Sequence, residues 1–319
     1  MTEPAEFTFT SNGTRCAAWH LTAAHDAFAT ERGVPCVVMA HGFGGARDTG
    51  LLPYAEGFAA AGLDVFVFDY RGFGSSEGSP RQHVSYRRQR ADYHAAIAAA
   101  RQIDGVDADR IVLWGTSYSG GHIVPVAVAD RRIAAIISLT PAMDGLAALL
   151  AIVQRHPRQL VRLVAHGLRD GGHALLRRQP HHIPIVGEPG STSVISSPGA
   201  LEGYLALAGP TWRNEVCART VLEVAINRPG RMARRLTTPI LVQYGENDAV
   251  APPSAAKRAA TDAGRYAEVR SYPVDHFEVY EGHWQHRALG DQIEFLRRHL
   301  DAGLVTTNPV TTTKKANKS

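Results

Sequence analysis

Long apolar runs are missing from this sequence. No stretch approaches the roughly 20 consecutive apolar residues of a membrane-spanning helix, so no integral membrane segment is expected. Cysteine is scarce. Cys16, Cys36 and Cys217 are too few and too scattered for a disulfide framework or a cysteine zinc site. The opening residues, Met1 to Glu6, hold two acids and neither a basic nor an apolar run, which does not read as a secretory signal. A cytoplasmic location is the resulting expectation. Excess basic charge is also thin. The formal net charge is +4, and Lys314, Lys315 and Lys318 supply three of those charges where no acid follows Asp301. The body of the chain is left near +1. Nucleic-acid binding needs a clustered basic face on a folded domain, so no nucleic-acid partner is expected. There is no internal repeat.

What is present is enough apolar residue for a large core: 45% of 319 residues, with 20% charged. Two short β-rich runs, 6–10 and 16–20, flank Asn12-Gly13, a hairpin turn pair. Unalternated apolar runs follow at 35–40, 65–68, 111–114, 134–139 and 239–244, with a further strand at 267–272. Runs of this kind suit strands buried on both faces of a parallel sheet. Helical patterns fall between them, at 54–61 and 86–101, and a closing helix is predicted over 291–300. Between Pro141 and about Arg235 the strand rhythm stops, and 183–186 is a weak strand candidate. These patterns predict an α/β core made of 1–140 and 237–303, a helical cap inserted at 141–236, and a disordered polar tail at 304–319.

In an open α/β sheet, ligands bind beyond the carboxyl ends of the strands. After the run 111–114 comes Gly115-Thr116-Ser117-Tyr118-Ser119-Gly120-Gly121 and then an apolar helix. A serine at such a strand-to-helix turn projects from a strained backbone above a helix N-terminus. Ser117 is the candidate nucleophile and Ser119 its rival. After 38–40 comes His41-Gly42-Phe43-Gly44-Gly45, a loop whose glycines allow backbone N–H groups to approach a developing alkoxide. After 67–68 comes Asp69-Tyr70-Arg71-Gly72-Phe73-Gly74. After 241–244 comes Gly245-Glu246-Asn247-Asp248, and after the last strand Asp275-His276-Phe277.

Taken together, these stretches resemble the α/β-hydrolase serine hydrolases. Ser117 sits in a G-x-S-x-G-like elbow whose last glycine is replaced by Ser119. The resemblance implies an eight-stranded, mostly parallel sheet flanked by helices, with the cap between core strands 6 and 7. It implies Ser117 as nucleophile, Asp248 as acid and His276 as base, in the Ser…Asp…His order of that fold. Glu246 and Asp144 are alternatives for the acid; His283 and His286 are weaker alternatives for the base. The implied oxyanion donors are the N–H groups of Phe43 and Tyr118, with the His41 imidazole read as structural. Asp69 and Arg71 are read as structural too, ion-paired beneath the oxyanion loop. The sub-pattern is similar to bacterial uncharacterised hydrolases and to fungal polyketide-transferase-like proteins.

The expectation is a serine hydrolase acting on a small-molecule carboxylic ester or thioester through an acyl-enzyme. It needs no cofactor and no metal. Acyl transfer on the same three residues is the alternative, and a proline-iminopeptidase-like aminopeptidase stands behind it. A non-catalytic binding relative would normally lack one of the three. The stretch 141–185 carries Arg155, Arg158, Arg162, Arg169, Arg177 and Arg178 against Asp144 and Asp170. Either these arginines face water from a lid packed on the core, or they receive acyl substrates with an anionic end. His173, His181 and His182 lack a carboxylate or cysteine at ligand spacing and are not read as a metal site.

Overall fold

The computed structural model describes residues 4–300. The expected tail, 304–319, lies outside the described residues.

The chain opens with β1 (Ala5–Ser11) and β2 (Thr14–Leu21), an antiparallel hairpin. Its turn residues, Asn12 and Gly13, both have positive φ, as a two-residue hairpin turn requires. Next come β3 (Val34–Ala40), α1 (Leu52–Ala60), β4 (Asp64–Phe68), α2 (Tyr86–Ala100), β5 (Val106–Thr116), α3 (Tyr118–Ala129) and β6 (Ile133–Leu139). The following stretch adds no strand to this sheet. It holds α4 (Gly145–Arg155), α5 (Pro157–Leu175), β7 (His182–Ile183), α6 (Ala200–Leu207), β8 (Val216–Cys217) and α7 (Val221–Val224). The sheet resumes with β9 (Ile240–Gly245), α8 (Pro253–Ala263), β10 (Ala267–Tyr272) and α9 (Gly282–Leu300).

Eight strands form one sheet in the order β1-β2-β4-β3-β5-β6-β9-β10. β2 is antiparallel to both of its neighbours, and the strands from β4 to β10 are parallel. Successive side chains of a strand point to opposite faces. Cys36, Val38 and Ala40 of β3 therefore join the core beneath α2, α3 and α8, while Val37 and Met39 join the core beneath α1 and α9. Burial on both sides is why these strands read as unbroken apolar runs.

Three elements differ from the sequence reading. α9 starts at Gly282 rather than at 291, because its inner face there is polar: Gln285, Asp291 and Gln292 are buried. Gln292 accepts a hydrogen bond from the Trp114 indole at 3.1 Å and donates to Gln243 at 2.6 Å. Apolar periodicity cannot detect such a face. Second, the strand candidate at 183–186 shortens to His182–Ile183, since Pro184 has no N–H to extend a ladder. Third, its partner β8 was not anticipated; two residues are too short to carry a pattern. No helix among the described residues is long and apolar enough to cross a membrane.

Candidate active site

Ser117 is the single residue between β5 and α3. Its φ is 53° and ψ −115°, a combination that costs a non-glycine residue strain. The surroundings hold it there. Its N–H donates to the Leu139 carbonyl at 2.9 Å, and its carbonyl accepts from the Ala142 N–H at 2.8 Å. The turn also needs Gly115: a Cβ there would lie 2.5 Å from the Ser119 carbonyl oxygen. Ser119, in the position where a glycine usually completes the elbow, is fully buried. Its hydroxyl accepts from the Thr116 N–H at 2.8 Å and lies 2.8 Å from the Ala40 carbonyl, to which it donates. Ser119 ties the elbow to β3 and does not reach the cavity described below.

The loop after β10 carries His276, and the loop after β9 carries Asp248. The structure brings both to Ser117. His276 Nε2 lies 3.1 Å from Ser117 Oγ, and His276 Nδ1 lies 2.7 Å from Asp248 Oδ2. The second Asp248 oxygen accepts from the N–H groups of Val250 and Ala251 at 2.8 and 2.7 Å, so the carboxylate cannot swing away. All three side chains are buried. The alternatives stand elsewhere. Glu246 is exposed and accepts from Ser271 Oγ. Asp144 caps α4, accepting from the N–H groups of Leu146 and Ala147, and pairs with Arg228. His283 and His286 are exposed on α9.

The loop after β3 passes over Ser117. A Cβ on Gly42 would lie 3.1 Å from Ser117 Cβ, so only glycine fits without displacement. Neither the Phe43 nor the Tyr118 N–H donates to a backbone acceptor among the described residues, and Tyr118 heads α3, where first-turn N–H groups are unpaired by construction. The loop is fastened from behind by Tyr204 of α6, whose hydroxyl donates to the Phe43 carbonyl at 2.7 Å. That tie joins residues 161 apart in the chain and leaves no signal in a sequence pattern. His41 donates from Nδ1 to the Gly42 carbonyl at 3.0 Å and packs on Tyr70. Burial lowers its pKa to about 4, so the ring is neutral.

Asp69 and Arg71 are not paired with each other, contrary to the sequence expectation. Asp69 accepts from the Arg47 N–H at 2.7 Å and from the Ser75 N–H at 3.0 Å, and faces the Arg47 guanidinium. Arg71 pairs instead with Asp92 of α2. The chain turns at Arg71-Gly72, where Gly72 has a positive φ, and this carries the Arg71 side chain away from Asp69. Burial raises the Asp69 pKa to about 6.

A cavity of about 360 Å³ opens on Ser117, Phe43 and Tyr118. Its walls come from α4 (Leu149, Ile152), α5 (Leu160, Leu163), α7 (Val221, Val224) and the loops 194–198 and 249–252. No arginine among the described residues lines it. Arg158, Arg162, Arg169, Arg177 and Arg178 are exposed instead, and the side chain of Arg155 is outside those described. A second chamber of about 30 Å³ lies between Ser117, His276, Thr116 and Tyr280. The histidines at 166 and 181 stack on each other, with Nδ1 and Nε2 2.6 Å apart, remote from these cavities in their lining.

The chain matches the family model described as serine aminopeptidase, S33, over residues 31–284. It is 39% identical over 297 residues to the quorum-quenching protein AidA of Acinetobacter baumannii, covering 92% of this chain and 95% of that one. It is 28% identical to a polyketide transferase of Aspergillus fumigatus, covering 84% and 90%. Among solved structures, the α/β hydrolase GrgF from Penicillium superposes with a TM-score of 0.77 at 22% identity, over 94% of this chain and 99% of that one. With an eight-stranded, mostly parallel sheet flanked by helices, and with these matches along most of its length, the chain belongs to the serine aminopeptidase, S33, family of α/β hydrolases.

Proposed function

We propose that the protein is a serine hydrolase that cleaves carboxylic esters or thioesters through an acyl-enzyme. The observation that carries this reading is the buried chain of contacts Ser117 Oγ to His276 Nε2 at 3.1 Å and His276 Nδ1 to Asp248 Oδ2 at 2.7 Å, at the end of an apolar cavity. His276 takes the Ser117 proton as Oγ bonds to the acyl carbon. Asp248 keeps the imidazole in the tautomer with its free lone pair on Nε2 and stabilises the imidazolium. The Phe43 and Tyr118 N–H groups receive the oxyanion. The C–O or C–S bond breaks as His276 returns the proton to the leaving group. Water then repeats the sequence on the acyl-Ser117 ester and frees the acid.

The cavity suits the acyl chain: it is large, mostly apolar and partly closed by α4, α5 and α7, which serve as a cap in this reading. The chamber beside His276 exceeds the space one water needs, roughly 10–15 Å³, and is too small for a bulky acceptor. That favours hydrolysis. Acyl transfer is the second reading, favoured by the similarity to a polyketide transferase. An aminopeptidase would want an unpaired acid for the substrate amine; Asp144, the acid in the cavity wall, is held by Arg228. The Acinetobacter relative is named for quorum quenching, so acylated signalling compounds belong in the substrate panel.

The test is fluorophosphonate labelling followed by turnover of acyl esters and thioesters with competing alcohols. Labelling at Ser117 and free acid as product support the reading. Labelling with ester products in place of acid would transfer it to acyl transfer. No labelling would reject it.

A further inference from the structure

We infer that the outer face of α4, α5 and α7 docks on an anionic lipid bilayer. α5 buries Gln159, Leu163, Gly167 and Asp170. Beside that face, Val161, Leu168 and Leu175 are 70%, 63% and 85% exposed. They recur at seven-residue intervals and so form one stripe along the helix. Leu150 and Val153 of α4, Leu222 of α7, and Ile226 are exposed nearby in the chain's packing order, since α4, α5 and α7 contact one another. Outside 141–236, Val269 is the one comparably exposed large aliphatic among the described residues. Scattered apolar side chains on a surface need no explanation; a set concentrated on one helix group does.

Charge selects the occupant. Arg158, Arg162 and Arg169 of α5, with Arg177 and Arg178 just beyond it, are exposed. The acids of these helices and their caps are already engaged: Asp144 with Arg228, Asp170, fully buried, with Arg219, and Glu223 with the Ser85 hydroxyl. Glu188, in the loop after α5, is one exposed acid against these five arginines. A second copy would bring two such arginine-bearing helices together, because a two-fold contact sets like against like. An anionic bilayer meets both features: phosphates for the arginines and hydrocarbon for the aliphatic stripe, the signature of an interfacial helix.

The patch also leads inward. Val164 and Leu222 are part of it and of the cavity wall. Apolar surface therefore runs from the outside towards Ser117, and an acyl chain can pass from the bilayer into the cavity without crossing water. This second consequence rests on the proposed acyl specificity; the docking itself does not.

The test is co-sedimentation of the full chain with phosphatidylcholine vesicles, with and without phosphatidylglycerol. Binding is expected to the anionic vesicles and to weaken with salt. Leu168→Glu with Leu175→Glu should lower it roughly tenfold or more, the order expected for burying one leucine. Turnover of a short soluble ester should be unchanged in that variant, which checks that it folds. Arg169→Gln with Arg177→Gln gives an independent arm, lowering binding to anionic vesicles alone. The proposal is overturned if neither vesicle binds the protein. It is overturned if binding survives both variants, which would place the contact elsewhere, such as at Lys314 to Lys318. It is also overturned if sedimentation shows a dimer that Leu168→Glu and Leu175→Glu dissolve. Loss of ester turnover by the wild type with vesicle binding intact would reject the catalytic reading and leave the docking standing.

Discussion

Gly42 and Ser117 face each other across the end of the sheet, so close that a methyl group on Gly42 would stand 3.1 Å from Ser117 Cβ. This spacing is tighter than an ordinary carbon contact. The φ of Gly42 is not in the left-handed region, so its requirement is for space. Gly42→Ala should push back the loop that carries the Phe43 N–H. Removing an oxyanion donor outright costs about 100- to 1000-fold in kcat, so, on the proposed role of the Phe43 N–H, displacing it should lower kcat roughly 10- to 100-fold. Thermal melting should change little. An unaltered kcat would mean that the loop yields without moving its N–H.

Ser117→Ala should abolish fluorophosphonate labelling and lower turnover by about three or more orders of magnitude. Ser119→Ala should do the opposite. It leaves the Thr116 N–H and the Ala40 carbonyl without their hydroxyl partner. The expected loss is about 1–3 kcal/mol of stability, read as a lower urea midpoint, with labelling retained. If Ser119→Ala were the unlabelled variant, the elbow would be out of register by two residues.

Asp248→Asn and Asp144→Asn set the proposed catalytic role of Asp248 against the capping role of Asp144. The first should lower kcat by about four orders of magnitude, as loss of the tautomer-setting carboxylate does in serine proteases, with the fold intact. The second keeps a side-chain oxygen to cap α4, since Asn caps as well as Asp, and loses the ion pair with Arg228. It should cost at most about 1 kcal/mol in stability and little in kcat on a short ester. Equal losses of kcat would argue that Asp144 shares in the chemistry.

The inner strands β3 to β6 and β9 were legible because they are buried on both faces, so each left a continuous apolar run. The site stretches were legible for a related reason: each follows a strand, and the topology gathers strand ends at one edge. Ser117, Asp248 and His276 lie far apart in the chain and adjacent in space for that reason alone. What failed to show was polar or long-range. The first half of α9 buries Gln285, and Tyr204 supports the Phe43 loop from a helix in the intervening segment. The arginines of 141–185 were visible, but not their side. The apolar side chains of α5 reach beyond its buried face, and periodicity alone does not say which part turns inward.

Acid should destabilise the protein well before its carboxylates are all protonated. Burial holds His41 and His83 neutral, each with its pKa lowered to about 4, and lowers His122 well below its ordinary value. In the unfolded chain each returns to about 6.5. Between those values the unfolded state binds more protons, so stability rises with pH across this window. The contribution is complete above about pH 6.5 and is lost as pH falls through about 4. For His41 alone the shift corresponds to about 3 kcal/mol at full extent. Asp69 and Asp92 work the other way. Burial raises both, Asp69 to about 6, so the folded state takes up these protons first and gains stability in acid. Burial also lowers His94 and His181, so five histidines outweigh two carboxyls, and the net slope should be positive. Urea midpoints at about pH 7.5 and about pH 5 measure it. His41→Gln keeps an N–H donor for the Gly42 carbonyl and cannot titrate, so its midpoint should fall less than that of the wild type. A wild-type midpoint that is flat between the two pH values, or an identical fall in His41→Gln, would show that the imidazole at the head of the oxyanion loop is not held neutral by burial.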